Sequence, residues 1–477
     1  MKKTIYSLAL GLTAVSYAIA QDSTAAKPAD SGKFTINGYI DSYYLTSFNN
    51  PKSGNLSGYH ANYGGPGSDG TTIYYGFGRA FDRLTDQFAL GLVQMRLAYT
   101  TSKSEMVIDL TFGPNASLGN FGNNAPYGTY NGTYGGYANG YFPINANQAM
   151  LYGAASPIKQ AYFKYNITDK LSFTVGQFGT HIGYEVIDAP VNFHYSLSNL
   201  FNNGPFYHVG GKINYSFSDK FGVMAGVVNN WDALTDWKKQ KSVIGQVFLS
   251  PISGLNIYLN YIIGHNDDGF KVARSSTVPS SGYGPFSGSN PYYSGPSYTR
   301  QLIDLTLGYQ ITDKFYLGLN AAYGAYSFNT STEPVGVNKA AYYALPGDPA
   351  AGVDTTTTES DWAVWSYGSN GPSWYGAALY ATYKINDVIS IGIRGEHFND
   401  KNAVRYIAAV NNSFTATIPI TLAEGHVIIK PEFRMDMASS PAGSASAIIM
   451  PKGLFEDKDG NATWNQQTFG CAFIYKY

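Results

Sequence analysis

From residue 33 onward, apolar and polar side chains alternate one by one in run after run, and this period of two allows little besides strand. Leu255, Ile257, Leu259, Tyr261 and Ile263 interleave with Asn256, Tyr258, Asn260 and Gly264. Phe315, Leu317, Leu319, Ala321 and Tyr323 interleave in the same way with Tyr316, Gly318, Asn320 and Gly324. Successive side chains of a strand point to opposite faces, so each run has one greasy face and one polar or small face. Composition supports strand over helix or disorder. The 477 residues include 41 Tyr, 27 Phe and 53 Gly, and only 13% are charged. That is about half the charge of an ordinary soluble protein, and disorder needs few aromatics while helices avoid Gly.

The runs are joined by two kinds of connection. Asn166 to Leu171, Ser216 to Phe221, Gln310 to Phe315 and Lys384 to Ile389 are four versions of one tight turn, each with Thr, Ser or Asn followed by Asp. Such side chains bond locally to the backbone and favour turns. Further short turns fit at 102–104, 251–254 and 423–425. Between them lie long segments rich in Gly, Tyr, Asn, Ser and Pro, at about 49–87, 115–157, 181–205, 266–298, 329–372 and 439–463. Strands are expected at 33–48, 88–101, 105–114, 158–167, 171–180, 206–217, 220–231 and 242–250. Eight more are expected at 255–265, 299–311, 314–328, 373–385, 388–400, 413–422, 426–438 and 464–477. An even count of about sixteen, with short turns at one end and long loops at the other, describes a transmembrane antiparallel β-barrel with periplasmic turns and extracellular loops.

A soluble sandwich or propeller also alternates. The last residues favour the barrel, because Phe469, Cys471, Phe473, Tyr475 and Tyr477 continue the apolar alternation to an aromatic terminus. This resembles the signal by which outer-membrane proteins engage the barrel assembly machinery, with Tyr where Phe is usual. Met1 to Ala20 has Lys2-Lys3, an apolar run and Ala18-Ile19-Ala20, which predicts a secretory signal cleaved after Ala20. Residues 21–32 are expected to be a disordered linker, and 33–477 the barrel in outer-membrane lipid. Cys471 is the only cysteine, so no internal disulfide can form. A net charge of -1 excludes a basic nucleic-acid footprint.

The polar face carries charge. Arg96, Lys164, Lys212, Arg394, Lys430 and Arg434 are assigned to the interior, together with Asp41, Asp109, Asp304, Glu396, Glu432 and Asp436. Ionisable groups at membrane depth need water or a partner, and sixteen strands enclose enough space for an aqueous channel. The expectation is a hydrated lumen lined by these side chains, weakly selective because the signs balance; a plug of salt bridges is the competing reading. Leu319 is expected to face lipid and Asn320 the watery lumen.

The loop from Thr180 to Asn203 contains His181, Glu185, Asp188 and His194. These residue types can ligate zinc or act as acid and base, but their spacing matches no metal motif. The loop is read as folded at or into the pore mouth. Glu456 to Asn461 lacks the glycine position of a calcium loop and reads as a polar hairpin tip. Tyr127, Tyr130, Tyr134, Tyr137 and Tyr141 could stack on sugars or pack loops together.

Several segments resemble one family, the OmpL-like outer-membrane β-barrel porins. They are Arg79-Ala80-Phe81-Asp82 leading into Phe88-Ala89-Leu90, the run Val175 to Glu185, Pro190, Asn192, Tyr195-Ser196, Pro205 to Gly210, and Gly226 to Asp232. His181 stands where family members usually carry Pro. The resemblance implies a porin fold, and the chain is read as passing small hydrophilic solutes or ions by passive diffusion, with no reaction, cofactor or metal expected and a homo-oligomer possible. The alternative is a barrel-anchored surface binding or adhesion protein that uses Tyr/Gly-rich external loops.

Overall fold

The computed structural model describes residues 32–54, 56, 79, 81–116, 120, 157–234, 241–266, 298–328, 336–338, 362–364, 373–401, 405, 409–440 and 453–477. The expected export signal, the linker up to residue 31 and the five loop tyrosines from 127 to 141 lie outside them.

The strands are β1 (Lys33–Ser47), β2 (Gln87–Thr100), β3 (Ser104–Phe112), β4 (Ile158–Asn166), β5 (Leu171–Gly179), β6 (Tyr207–Ser218), β7 (Phe221–Asn229) and β8 (Lys241–Leu249). They continue as β9 (Leu255–Asn266), β10 (Tyr298–Gln310), β11 (Phe315–Phe328), β12 (Ser373–Lys384) and β13 (Ser390–Asn399). The last three are β14 (Val410–Thr417 with Ile420–Leu422), β15 (Val427–Ser439) and β16 (Asn465–Lys476). Each pairs antiparallel with its sequence neighbour, and β1 pairs with β16 from Tyr39↔Lys476 to Ser47↔Thr468, which closes the barrel. Closure satisfies every strand edge, the condition for spanning lipid with strands. β14 is broken at Ile418-Pro419, since Pro419 has no N–H to give its neighbour; Ile418 N still donates to Pro431 O at 3.0 Å.

The short turns are built as their sequences suggest. Thr168 Oγ1 accepts from Lys170 N and Leu171 N, and Thr312 Oγ1 from Lys314 N and Phe315 N. Asn386 Oδ1 accepts from Val388 N and Ile389 N, both at 2.8 Å. In these three turns the side-chain bonds to the backbone come from the residue before the aspartate. Asp387 instead pairs with Lys384 Nζ at 2.7 Å.

The molecule is inside out compared with a soluble domain. Leu379, Ile213, Phe469 and Phe473 point outward and are exposed, whereas Asp109, Thr306, Arg394 and Thr415 point inward and are fully buried. Soluble folds do the opposite. Tyr215, Phe217 and Phe221 cluster outward near one short-turn end, Tyr215 edge-on to Phe217 and Phe217 stacked on Phe221, with ring centroids 4.8 Å apart in each contact, as in the aromatic girdle of a membrane barrel. Phe455–Glu456 pairs with Ala462–Thr463. Between them Asp457 Oδ1 accepts from Asp459 N and Asn461 N, and these donors hold its carboxyl below the usual range.

Candidate functional site

The interior is organised around the segment between β5 and β6, residues 180–206, which turns into the barrel and runs along its inner wall. Its only helix, α1 (Asn199–Asn203), is capped by Ser198, whose hydroxyl accepts from Phe201 N at 3.0 Å. Upstream, Asn192 ties the loop to itself, accepting from Val186 N and donating to Val186 O. Gly183 adopts φ +93° and gives its N–H to Asp304 at 2.9 Å, a conformation that favours glycine.

The wall meets the loop with its charges. Glu396 accepts from Asn199 N at 3.0 Å and Leu200 N at 2.9 Å, and Glu432 from Tyr195 N at 2.7 Å and Ser196 N at 3.0 Å. Arg394 donates to Glu185 Oε1 at 2.6 Å and to Ser196 O at 2.7 Å. Lys430 donates to Ala189 O and Asn192 O, and Arg434 to Leu197 O. Opposite, Lys159 Nζ holds Asp188 at 2.5 Å and Gln94 at 2.8 Å. Loop backbone left without water is thereby satisfied, mostly by charge-assisted bonds.

Shape matches as well as charge. A Cβ at Gly318 would overlap the Tyr184 ring, one at Gly392 would overlap Phe193, and one at Gly376 would press on Leu200. Three inward glycines thus leave room for three bulky loop side chains. Tyr184 stacks on Tyr380 with centroids 4.2 Å apart, and its hydroxyl donates to that of Tyr316.

The family-like segments converge on the root of this loop. Phe81 packs on Phe201 and Phe206, while Arg79 binds Asp82 and Thr468. Asp232 accepts from Phe206 N at 2.6 Å and Tyr207 N at 3.1 Å. These contacts anchor the C-terminal end of the loop, which Thr180 N ties to the N-terminal end by donating to Phe206 O at 3.1 Å.

The four loop residues singled out from sequence have separate partners. Glu185 bonds Arg394 and Ser198 N, and Asp188 bonds Lys159. His194 Nδ1 donates to Thr417 Oγ1 at 2.7 Å and His181 Nε2 to Tyr261 O at 3.1 Å. Burial, reinforced by Lys212, pushes His181 down to about 3, and burial with Arg394 and Lys430 pushes His194 well below its usual value. Burial acts to raise Asp188, but the Lys159 ammonium outweighs it and holds the carboxyl low. Among the described residues no three His, Cys, Asp or Glu side chains gather as metal ligands.

Of the twelve residues expected to line a hydrated lumen, nine are buried rather than presented to water: Asp41, Asp109, Asp304, Arg394, Glu396, Lys430, Glu432, Arg434 and Asp436. Asp109 is covered by Arg96 and Gln160, Asp304 by Asn260, Asn320 and Gly183, and the other seven bond the loop or one another. Asn320 is likewise buried, donating to Asp304 at 2.5 Å, not bathed in lumen water. Arg96, Lys164 and Lys212 remain partly exposed. Sequence parity missed Lys159, because the register shifts between Asp109 and Leu110 and turns it inward. A cavity of about 70 Å³ separates the loop from the wall, lined by Gln160, His181, Gln246, Tyr258 and Thr306 among others.

The sequence profile described as Putative beta-barrel porin-2, OmpL-like matches residues 33–477. The chain belongs to this family of outer-membrane porins. Comparison with curated proteins gives no significant match. Among solved structures it is similar to the trimer form of OmpT from Vibrio cholerae, at 11% identity over 94% of this chain and 100% of that one, TM-score 0.47. It is also similar to the channel DcaP of Acinetobacter baumannii (10%, 94% and 97%, 0.44) and to an anion-selective porin from Comamonas acidovorans (10%, 94% and 100%, 0.43). These likenesses are too distant to carry a functional argument.

Proposed function

We propose that this porin lets small hydrophilic solutes and ions diffuse passively through the space that the docked loop leaves inside the barrel. The observation that carries this reading is the closed sixteen-strand barrel whose interior is narrowed by residues 180–206. A barrel of this size without such a loop leaves a wide aqueous channel; with it, the width is set by a segment fastened to the wall at β13 and β15 and, opposite, at Lys159. No reaction is assigned, because the ionisable side chains of the loop are each committed to a fastening bond. Export by a signal cleaved after Ala20, a mature barrel from residue 33 and insertion by the barrel assembly machinery complete the reading. Purified full-length protein in a planar bilayer tests it. Stable ohmic conductance is expected, and a folded barrel that never conducts would favour a surface-binding protein using the barrel only as an anchor.

A further inference from the structure

The twelve charges assigned to the interior from sequence balance, six acidic against six basic, but the structure does not treat their two signs alike, although the inward Glu105 of β3 stays partly exposed beside Lys164. Asp41, Asp109, Asp304, Glu396, Glu432 and Asp436 are all withdrawn from the lumen, none more than 8 % exposed. Their oxygens are taken up by backbone N–H groups, amides and guanidinium groups. Of the six basic side chains only Arg394, Lys430 and Arg434 are buried. Arg96, Lys164 and Lys212 stay partly exposed on the β2–β6 wall.

These three do not contribute equally. Arg96 is held by Asp109 at 2.7 Å, and Lys164 stands in register with Glu105. Lys212 has Thr174 and Gly226 as its register partners, the Phe178 ring 4.4 Å beneath its ammonium, and no carboxylate within ion-pair distance among the described residues. Thr174 pairs with Lys164 on its other side, so the two lysines share one row, two strand spacings or about 10 Å apart. A positive charge on a low-dielectric wall facing a narrow water path concentrates anions there and repels cations.

We infer that the channel prefers small anions, such as chloride, phosphate or short carboxylates, and that Lys212, assisted by Lys164, determines this preference. The inference rests on the porin reading and goes beyond it. It is tested by the reversal potential of purified full-length protein in a neutral-lipid bilayer across a potassium chloride gradient. The wild type should settle toward the chloride equilibrium potential. Lys212→Glu should move it toward potassium, and Lys164→Glu/Lys212→Glu should invert its sign, with the heat-dependent gel shift of a folded barrel unchanged. Lys212→Gln serves if either charge reversal fails to fold, and it should cut the anion preference severalfold. A wild type that prefers potassium, or folded variants with the wild-type reversal potential, would overturn the inference while leaving a conducting porin. A folded wild type with no conductance would remove the porin reading and this inference with it.

Discussion

Glu396 and Glu432 point into a membrane barrel, and both use their charge to accept loop N–H bonds. Removing one acceptor strands two buried donors, each at about 1–3 kcal/mol. Glu396→Ala should therefore free the α1 end of the loop without opening the barrel, seen as higher and noisier single-channel conductance from protein that still shifts on heating. His181 and His194 give the docked loop a pH dependence of definite sign. Docked, His181 stays neutral down to about 3; released, it would protonate below about 6.5. Docking thus loses stability as pH falls from about 6.5 toward 3, by about 1.4 kcal/mol per unit for each such histidine. Asp188 acts in the same direction lower down, its contribution lost as pH falls through its depressed value. Conductance fluctuations should increase between pH 6.5 and about 4.5, and His181→Asn should flatten that rise.

Strands were legible because a period of two survives any error of a residue or two at their ends. All sixteen strands lie within a few residues of where alternation and turn chemistry put them, and the seven short turns join them as read. Lys159 escaped because a bulge in its pairing with β3 breaks parity there. Parity also gives a direction without giving the surroundings. Leu319 and Asn320 point opposite ways as expected, but Asn320 meets Asp304 and not water. Leu319→Arg places a cation against lipid, at about 2–4 kcal/mol near the midplane, and should reduce the yield of folded barrel. Asn320→Arg is not silent either, since it displaces a donor from the carboxylate that holds Gly183. It should fold, yet gate more often than wild type, and equal yields of the two variants would contradict their facing.

The whole barrel inverts the usual distribution of polarity, and a closed sheet offers no edge from which to unfold. Unheated and boiled samples should migrate differently on a detergent gel; identical mobility would contradict a closed barrel. The docking of residues 180–206 was only partly legible, because interior charges look the same in sequence whether they meet water or a loop. The stronger hint lay in complementary sizes, Gly318, Gly376 and Gly392 on the wall against Tyr184, Leu200 and Phe193, and such pairing becomes visible only once the register is known. Gly179 and Tyr207 are paired across β5 and β6, so residues 184–203 can be replaced by a short Gly/Ser turn without straining the wall. Single-channel conductance of that variant, beside the wild type in the same bilayer, measures what the loop does. If residues 180–206 set the width of the water path, conductance should rise severalfold in a barrel that still shifts on heating. A folded variant with wild-type conductance would mean that the loop does not narrow the channel.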